Sequence, residues 1–139
     1  MTVHTKPSSP RPKVSRSPWR WYAAHAVMYV RFLRGRQSHY PVWENIYLVR
    51  ARGPAEAQRR AEAIVQKWEA ATTDSGTWGG RPAKWVFAGI RKILWVAHVG
   101  PPGVLGPGDE LSFSEFSLKT LAQVRRLASG RAVTLSYDE

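Results

Sequence analysis

The sequence predicts an α+β fold: an antiparallel sheet of four to five strands with one long and one short helix packed on one face, in the order β-β-α-β-β-α-β. Three observations predict it. Aromatic and β-branched residues crowd two early segments, as strands require. An apolar stripe at helical spacing follows them. Over 139 residues, 43% hydrophobic and 22% charged content suits a chain that buries its own core.

Residues 1–18 (MTVHTKPSSPRPKVSRSP) carry Pro, Ser and basic residues with almost nothing apolar to bury, so they are expected to be a disordered arm. A single α+β domain is expected over 19–139. Trp21 to Leu33 reads as a long strand, with Trp21, Ala23, His25, Val27 and Tyr29 on one face and Tyr22, Ala24, Met28, Val30 and Phe32 on the other. Its AAHAVM run is also compatible with a helix. Val42 to Arg52 is the second strand, and Gly53-Pro54 stops it.

Pro54 suits the first position of a helix that runs to about Ala71, and Glu56 meets the positive end of its dipole. Ala57, Ala61, Ile64, Val65 and Trp68 make its buried stripe, with Trp68 filling the wider end. After a loop over Thr72–Pro82, Ala83 to Val99 is a third, bent strand. A bulge at Gly89 would move Ile90 onto the face of Trp85 and Phe87. GPPGVLGPGD is irregular, and Glu110 to Phe116 is expected as a short fourth strand. A helix over Leu118–Ser129 would turn Leu118, Leu121, Ala122, Val124, Leu127 and Ala128 inward before Gly130 closes it. Ala132 to Tyr137 would end the sheet.

Charge is unevenly spread. The chain carries +11 overall, yet residues 1–43 hold eight Lys/Arg and no acid, the first carboxylate being Glu44. Such a block draws phosphate polymers or anionic surfaces; a merely solubilising tail is the competing reading. The absence of cysteine excludes disulfides, thiolate zinc sites and cysteine nucleophiles. No apolar run reaches the ~18 residues that cross a bilayer, and no secretory h-region occurs, so the expected compartment is the cytosol.

Catalytic constellations are missing from the pattern. The four histidines are scattered, with no HxH or HxxxH chelate. His25 on a strand face reads as structural or surface, and Glu44 as capping a strand or meeting an arginine. Glu56, Glu62 and Glu69 read as solvated partners for Arg59, Arg60 and Lys67. The GPPGVLGPG run lacks the N–H groups of a phosphate cradle, because its prolines donate nothing. The expectation is a protein that is not an enzyme and uses no cofactor or metal.

What remains is arginine interleaved with aromatic residues, a mixture that suits single-stranded nucleic acid. Fifteen arginines against six lysines favour forked phosphate contacts. Expected contacts are Lys6, Arg11, Lys13, Arg16 and Arg20 to phosphates, Trp19 as a stacking anchor, and Arg34 and Arg36 beyond the first strand. The leading expectation is therefore a non-catalytic binding protein whose arm touches nucleic acid or a ribonucleoprotein. The alternative is a protein–protein module, of the immunity or assembly kind, that docks an acidic partner through its sheet.

The run Trp43-Glu44-Asn45-Ile46-Tyr47-Leu48-Val49-Arg50-Ala51, followed by Glu56-Ala57 and Ala61, resembles the "W-E-x-I-x-L-V-x-A…EA…A" stretch of the DUF4288 family of small bacterial proteins. Trp21-Tyr22 and Trp85-Val86-Phe87-Ala88-Gly89 resemble that family's first and third strands, and Glu110 to Phe116 its closing strand. The resemblance covers about residues 19–117. It implies a compact α+β domain with no assigned activity, and hence no catalytic residues to transfer.

Overall fold

The computed structural model describes residues 18–71, 76–97 and 104–137. The chain is α+β. Strand β1 (Arg20–Phe32) leads through a nine-residue connection to β2 (Val42–Ala51), then to helix α1 (Pro54–Ala71), a two-residue β3 (Thr77–Trp78) and the long β4 (Arg81–Trp95). These form a four-stranded antiparallel sheet in the order β2-β1-β4-β3. The chain divides into two compact units, one ending at Trp95 and the other starting at Val96.

The core of the first unit is a stack of matched steps. Tyr22, Ala51 and Ala57 pack together; then Ala24, Val49 and Ala61; then Ala26, Met28 and Val65. Two residues along a strand advance about 6.6 Å and four along a helix about 6 Å, so α1 runs parallel to β1 and stays in register with it. Alanine on both surfaces lets helix and strand approach closely. The expected strand faces and the buried positions Ala57, Ala61 and Val65 are found.

Glu56 fixes the start of α1: its Oε2 accepts the Arg52 N–H at 3.0 Å, and its Oε1 accepts Arg60 Nε–H at 3.0 Å. At the other end of the helix, Glu69 is not a solvated partner of lysine or arginine alone; its Oε2 accepts the Phe87 N–H at 2.9 Å. Phe87 sits where β4 is irregular. The pairing of β1 with β4 shifts between Val27 and Met28 and again between His25 and Ala26, leaving Ala88 and Arg91 as extra residues. The break beside Gly89 was expected, and Ile90 does join Trp85 and Phe87 against the helix. The break at Arg91 has no glycine to announce it.

Several expectations are corrected. Trp68 does not fill the core; it is 61% exposed, and Ile64 is exposed too, because the alanine layer brings α1 too close to the sheet to admit an indole. The loop before β4 contains β3, held by Trp78 packing on Trp43 and Trp85, with ring centroids 5.2 and 6.5 Å apart. Glu110–Glu115 forms no strand. The second unit instead pairs β5 (Phe116–Ser117) with β6 (Ser136–Tyr137) around α2 (Leu121–Ala128). Thr120 caps α2 by accepting the Gln123 N–H, and Gly130 closes it. The stripe expected to point inward is not buried: Leu121 and Val124 are exposed. Two-residue strands offer too little surface to cover it. Among the described residues, no helix is long and apolar enough to cross a membrane.

Candidate nucleic-acid interface

Antiparallel pairing decides which side chains meet where β1 begins. Trp21 lies opposite Arg50, Arg20 opposite Ala51, and Tyr22 opposite Trp95 on the other flank. Helix α1 starts at this same end of the sheet. Arginines from β1, the end of β2 and α1 therefore meet three indoles at this end: Trp21 and Arg50 on the sheet face away from α1, Arg20 and Trp95 on the face that carries Tyr22.

Each indole carries a guanidinium. Arg50 lies 5.7 Å from the Trp21 ring centroid, Arg20 lies 4.7 Å from Trp95, and Arg52 and Arg60 lie 4.6 and 5.0 Å from Trp19. Such stacking uses the flat face of the guanidinium and leaves its in-plane N–H groups for other acceptors. Trp19 and Trp95 remain exposed. A pocket of about 350 Å³ opens between Trp19, Arg50 and Arg60. A carboxylate paired within the cluster is Glu56, drawn below the ordinary range first by the Arg52 N–H, against the opposing effect of desolvation, and then by Arg60. Arg52 also has a buried Nε–H without an acceptor, an arrangement that costs about 1–3 kcal/mol when left unmet.

The expected contact residues divide. Trp19 and Arg20 stand in this cluster. Lys6, Arg11, Lys13 and Arg16 lie outside the described residues. Arg34 and Arg36 lie at the opposite end of β1, about 40 Å away along a strand of this length, so they are not brought together with Arg20. There the backbone does the structural work. Arg81 Nη2 donates to the carbonyls of Arg34 and Arg36 at 2.8 and 3.2 Å, and its guanidinium rests on Phe32. Gly35 takes φ +81°, and a Cβ there would meet Arg81 at 2.9 Å. The Gln37 side chain closes the connection, accepting from Phe32 N–H and donating to the carbonyls of Val30 and His39.

Arg50, Arg52, Arg60 and Trp95 were missed by sequence reasoning. Composition alone singles out the first forty residues; the register of β1 against β2 was the signal that would have added Arg50 and Arg52.

A second polar group lies on the sheet face away from α1. His25 Nδ1 is 2.9 Å from Glu44 Oε1, and Arg91 Nε donates to the same oxygen at 2.6 Å. Glu44 thus meets an arginine, as one expectation held, and also a histidine, which was not expected. Pairing explains it: His25 lies opposite Ile46, so Glu44 is its diagonal neighbour. His25 is 1% exposed. Burial pushes its pKa below 6.5, Lys92 and Arg91 push the same way, and the Glu44 contact opposes them. Burial would raise the Glu44 pKa, but hydrogen bonds from Arg91 and His25 outweigh it and hold the carboxyl below 4.5.

A third feature is a cleft of about 480 Å³ between α1 and the sheet, walled by Met28, Tyr47, Trp68 and Trp85. Among the described residues, no three His, Cys, Asp or Glu side chains gather as metal ligands would. Comparisons with known proteins give no match: no family model fits the chain, and no curated protein or solved structure is similar to it.

Proposed function

We propose that this chain is a non-catalytic binding protein for single-stranded nucleic acid, free or within a ribonucleoprotein. In this reading its interface is the arginine–tryptophan end of the sheet together with the basic arm that precedes it in sequence. The observation that carries the proposal is that Arg20, Arg50, Arg52 and Arg60 each stack on Trp95, Trp21 or Trp19 around one end of the sheet. A phosphate arriving there would supply acceptors beyond the Glu56 carboxylate, and an exposed indole edge or face offers a base a surface to stack on. Lys6, Arg11, Lys13 and Arg16 add four more cationic side chains ahead of Trp19 in the sequence. Membership of the DUF4288 family, which the Trp43–Ala51 run suggests, would add no activity to this reading.

The histidine network fits a structural part. A catalytic imidazole must reach a substrate, whereas His25 is sealed from solvent and Glu44 is engaged by Arg91. Together they hold the middle of the sheet.

The test is fluorescence anisotropy of a labelled single-stranded oligonucleotide over a salt series. Replacing Arg20, Arg52 and Arg60 by alanine should weaken binding for every sequence and reduce the salt slope by about 2, at roughly 0.7 for each phosphate that is no longer neutralised. An unchanged slope would reject this end of the sheet as the interface. Stoichiometric capture of an acidic protein after nuclease treatment would favour the protein–protein alternative.

A further inference from the structure

Strand β2 is a margin of the sheet, and among the described residues no hydrogen bond between backbone groups reaches its outer side. Proteins normally blunt such edges with bulges, prolines, lysines or very short strands, because unpaired N–H and C=O groups are a template for another strand. The opposite margin follows that rule. It ends in the two-residue β3, and β4 is broken by two register shifts. Strand β2 does not: its ten residues contain neither proline nor lysine and pair with β1 without a shift.

The face of β2 turned away from α1 reads Val42, Glu44, Ile46, Leu48, Arg50. Its three aliphatic side chains are 59%, 54% and 40% exposed. The pattern is complementary to its own reverse. About a twofold axis at Tyr47, Ile46 of one chain lies opposite Leu48 of another, and Glu44 lies opposite Arg50. A parallel arrangement, or a slip by one residue, loses that match.

We propose that β2 pairs antiparallel with β2 of a second copy of this chain, about a dyad through Tyr47, joining two four-stranded sheets into one of eight. A closed twofold dimer consumes both open edges at once, so assembly stops at two. Ile46 and Leu48 are covered, and Arg50 gains a carboxylate while keeping in-plane donors for other acceptors. This inference does not rest on the nucleic-acid reading.

The experiment is sedimentation of the nuclease-treated full chain across the micromolar range, followed by pairwise cross-linking. The chain has no cysteine, so exposed single cysteines report position cleanly. The wild type should sediment at twice its 15.7 kDa, and Ile46→Lys should return it to the monomer mass with its circular dichroism unchanged. A mixture of Ile46→Cys and Leu48→Cys should form a disulfide under mild oxidation, since opposed residues lie about 4.5–5.5 Å apart at Cα, within disulfide reach. Either variant alone should not, because each cysteine would face its own copy only diagonally. A monomer at all concentrations, a dimer indifferent to Ile46→Lys, or equal cross-linking of either variant alone would overturn the proposal.

Discussion

Six of the seven tryptophans fall into two clusters at opposite ends of β1, and the clusters are built on different principles. Trp43, Trp78 and Trp85 pack on one another, with ring centroids 5.2 to 6.5 Å apart. Trp19, Trp21 and Trp95 each sit beneath an arginine instead. Indole against indole removes apolar area from water and pins β3 to the sheet. Indole under guanidinium leaves donors facing outward and removes less area. The difference teaches that the neighbours of one residue type decide what it does: cohesion at one end and, in the reading proposed above, recognition at the other.

The largest expected effects separate the two clusters by what they damage. Trp85→Ala should lower stability by an amount near the lower end of about 3–5 kcal/mol, because the indole is only partly buried; chemical denaturation measures it. Trp19→Ala should hardly move the denaturation midpoint yet weaken oligonucleotide binding by about 1–3 kcal/mol, the worth of one stacked base. Were both variants to lose stability equally, the contrast would fail.

A smaller effect tests the scaffold that both clusters share. Ala61→Leu should cost about 1–3 kcal/mol by forcing α1 off β1. The thermal midpoint should fall without the salt slope of binding changing.

Acid should act on the region between the clusters. The folded-state pKa values of His25 and Glu44 both lie below their ordinary values, so the unfolded chain binds more protons and stability rises with pH. The contribution of His25 is whole above pH 6.5, its ordinary value, and is lost as pH falls through the lower folded value. Glu44 behaves likewise from 4.5 downward. A thermal midpoint followed against pH should therefore drop on acidification, and His25→Gln should remove the first part of that drop. The smallest effect belongs to Arg34 and Arg36. Their side chains are exposed far from the cluster, so replacing both by alanine should change stability by less than about 0.5 kcal/mol each. Oligonucleotide affinity should fall less than in the Arg20/Arg52/Arg60 variant.

Much of the first unit was legible in the sequence because its signals are local. The period of two in Trp21–Leu33 and the four-residue alanine spacing from Ala57 each name a buried face without knowledge of the partner. Trp68 misled because periodicity gives a direction and not a depth. The segment Glu110–Phe116 alternates like a strand at Leu111 and Phe113, but a strand exists only where another edge pairs with it; that pairing begins only at Phe116, and its partner is not written locally. Of the candidate site, the kinds of residue were legible in the sequence and their meeting places were not. Arginine with tryptophan is a compositional signal, whereas the meeting of Trp19 with Arg52 and Arg60, or of His25 with Glu44, follows from register between segments some twenty to forty residues apart.

The most direct measurement is an oligonucleotide titration followed on the indole N–H resonances of the ¹⁵N-labelled chain, each assigned by substitution. Trp19, Trp21 and Trp95 should shift while Trp43, Trp78 and Trp85 stay in place. Shifts confined to the second trio, or spread evenly over both, would contradict the division of labour between the two ends of the sheet.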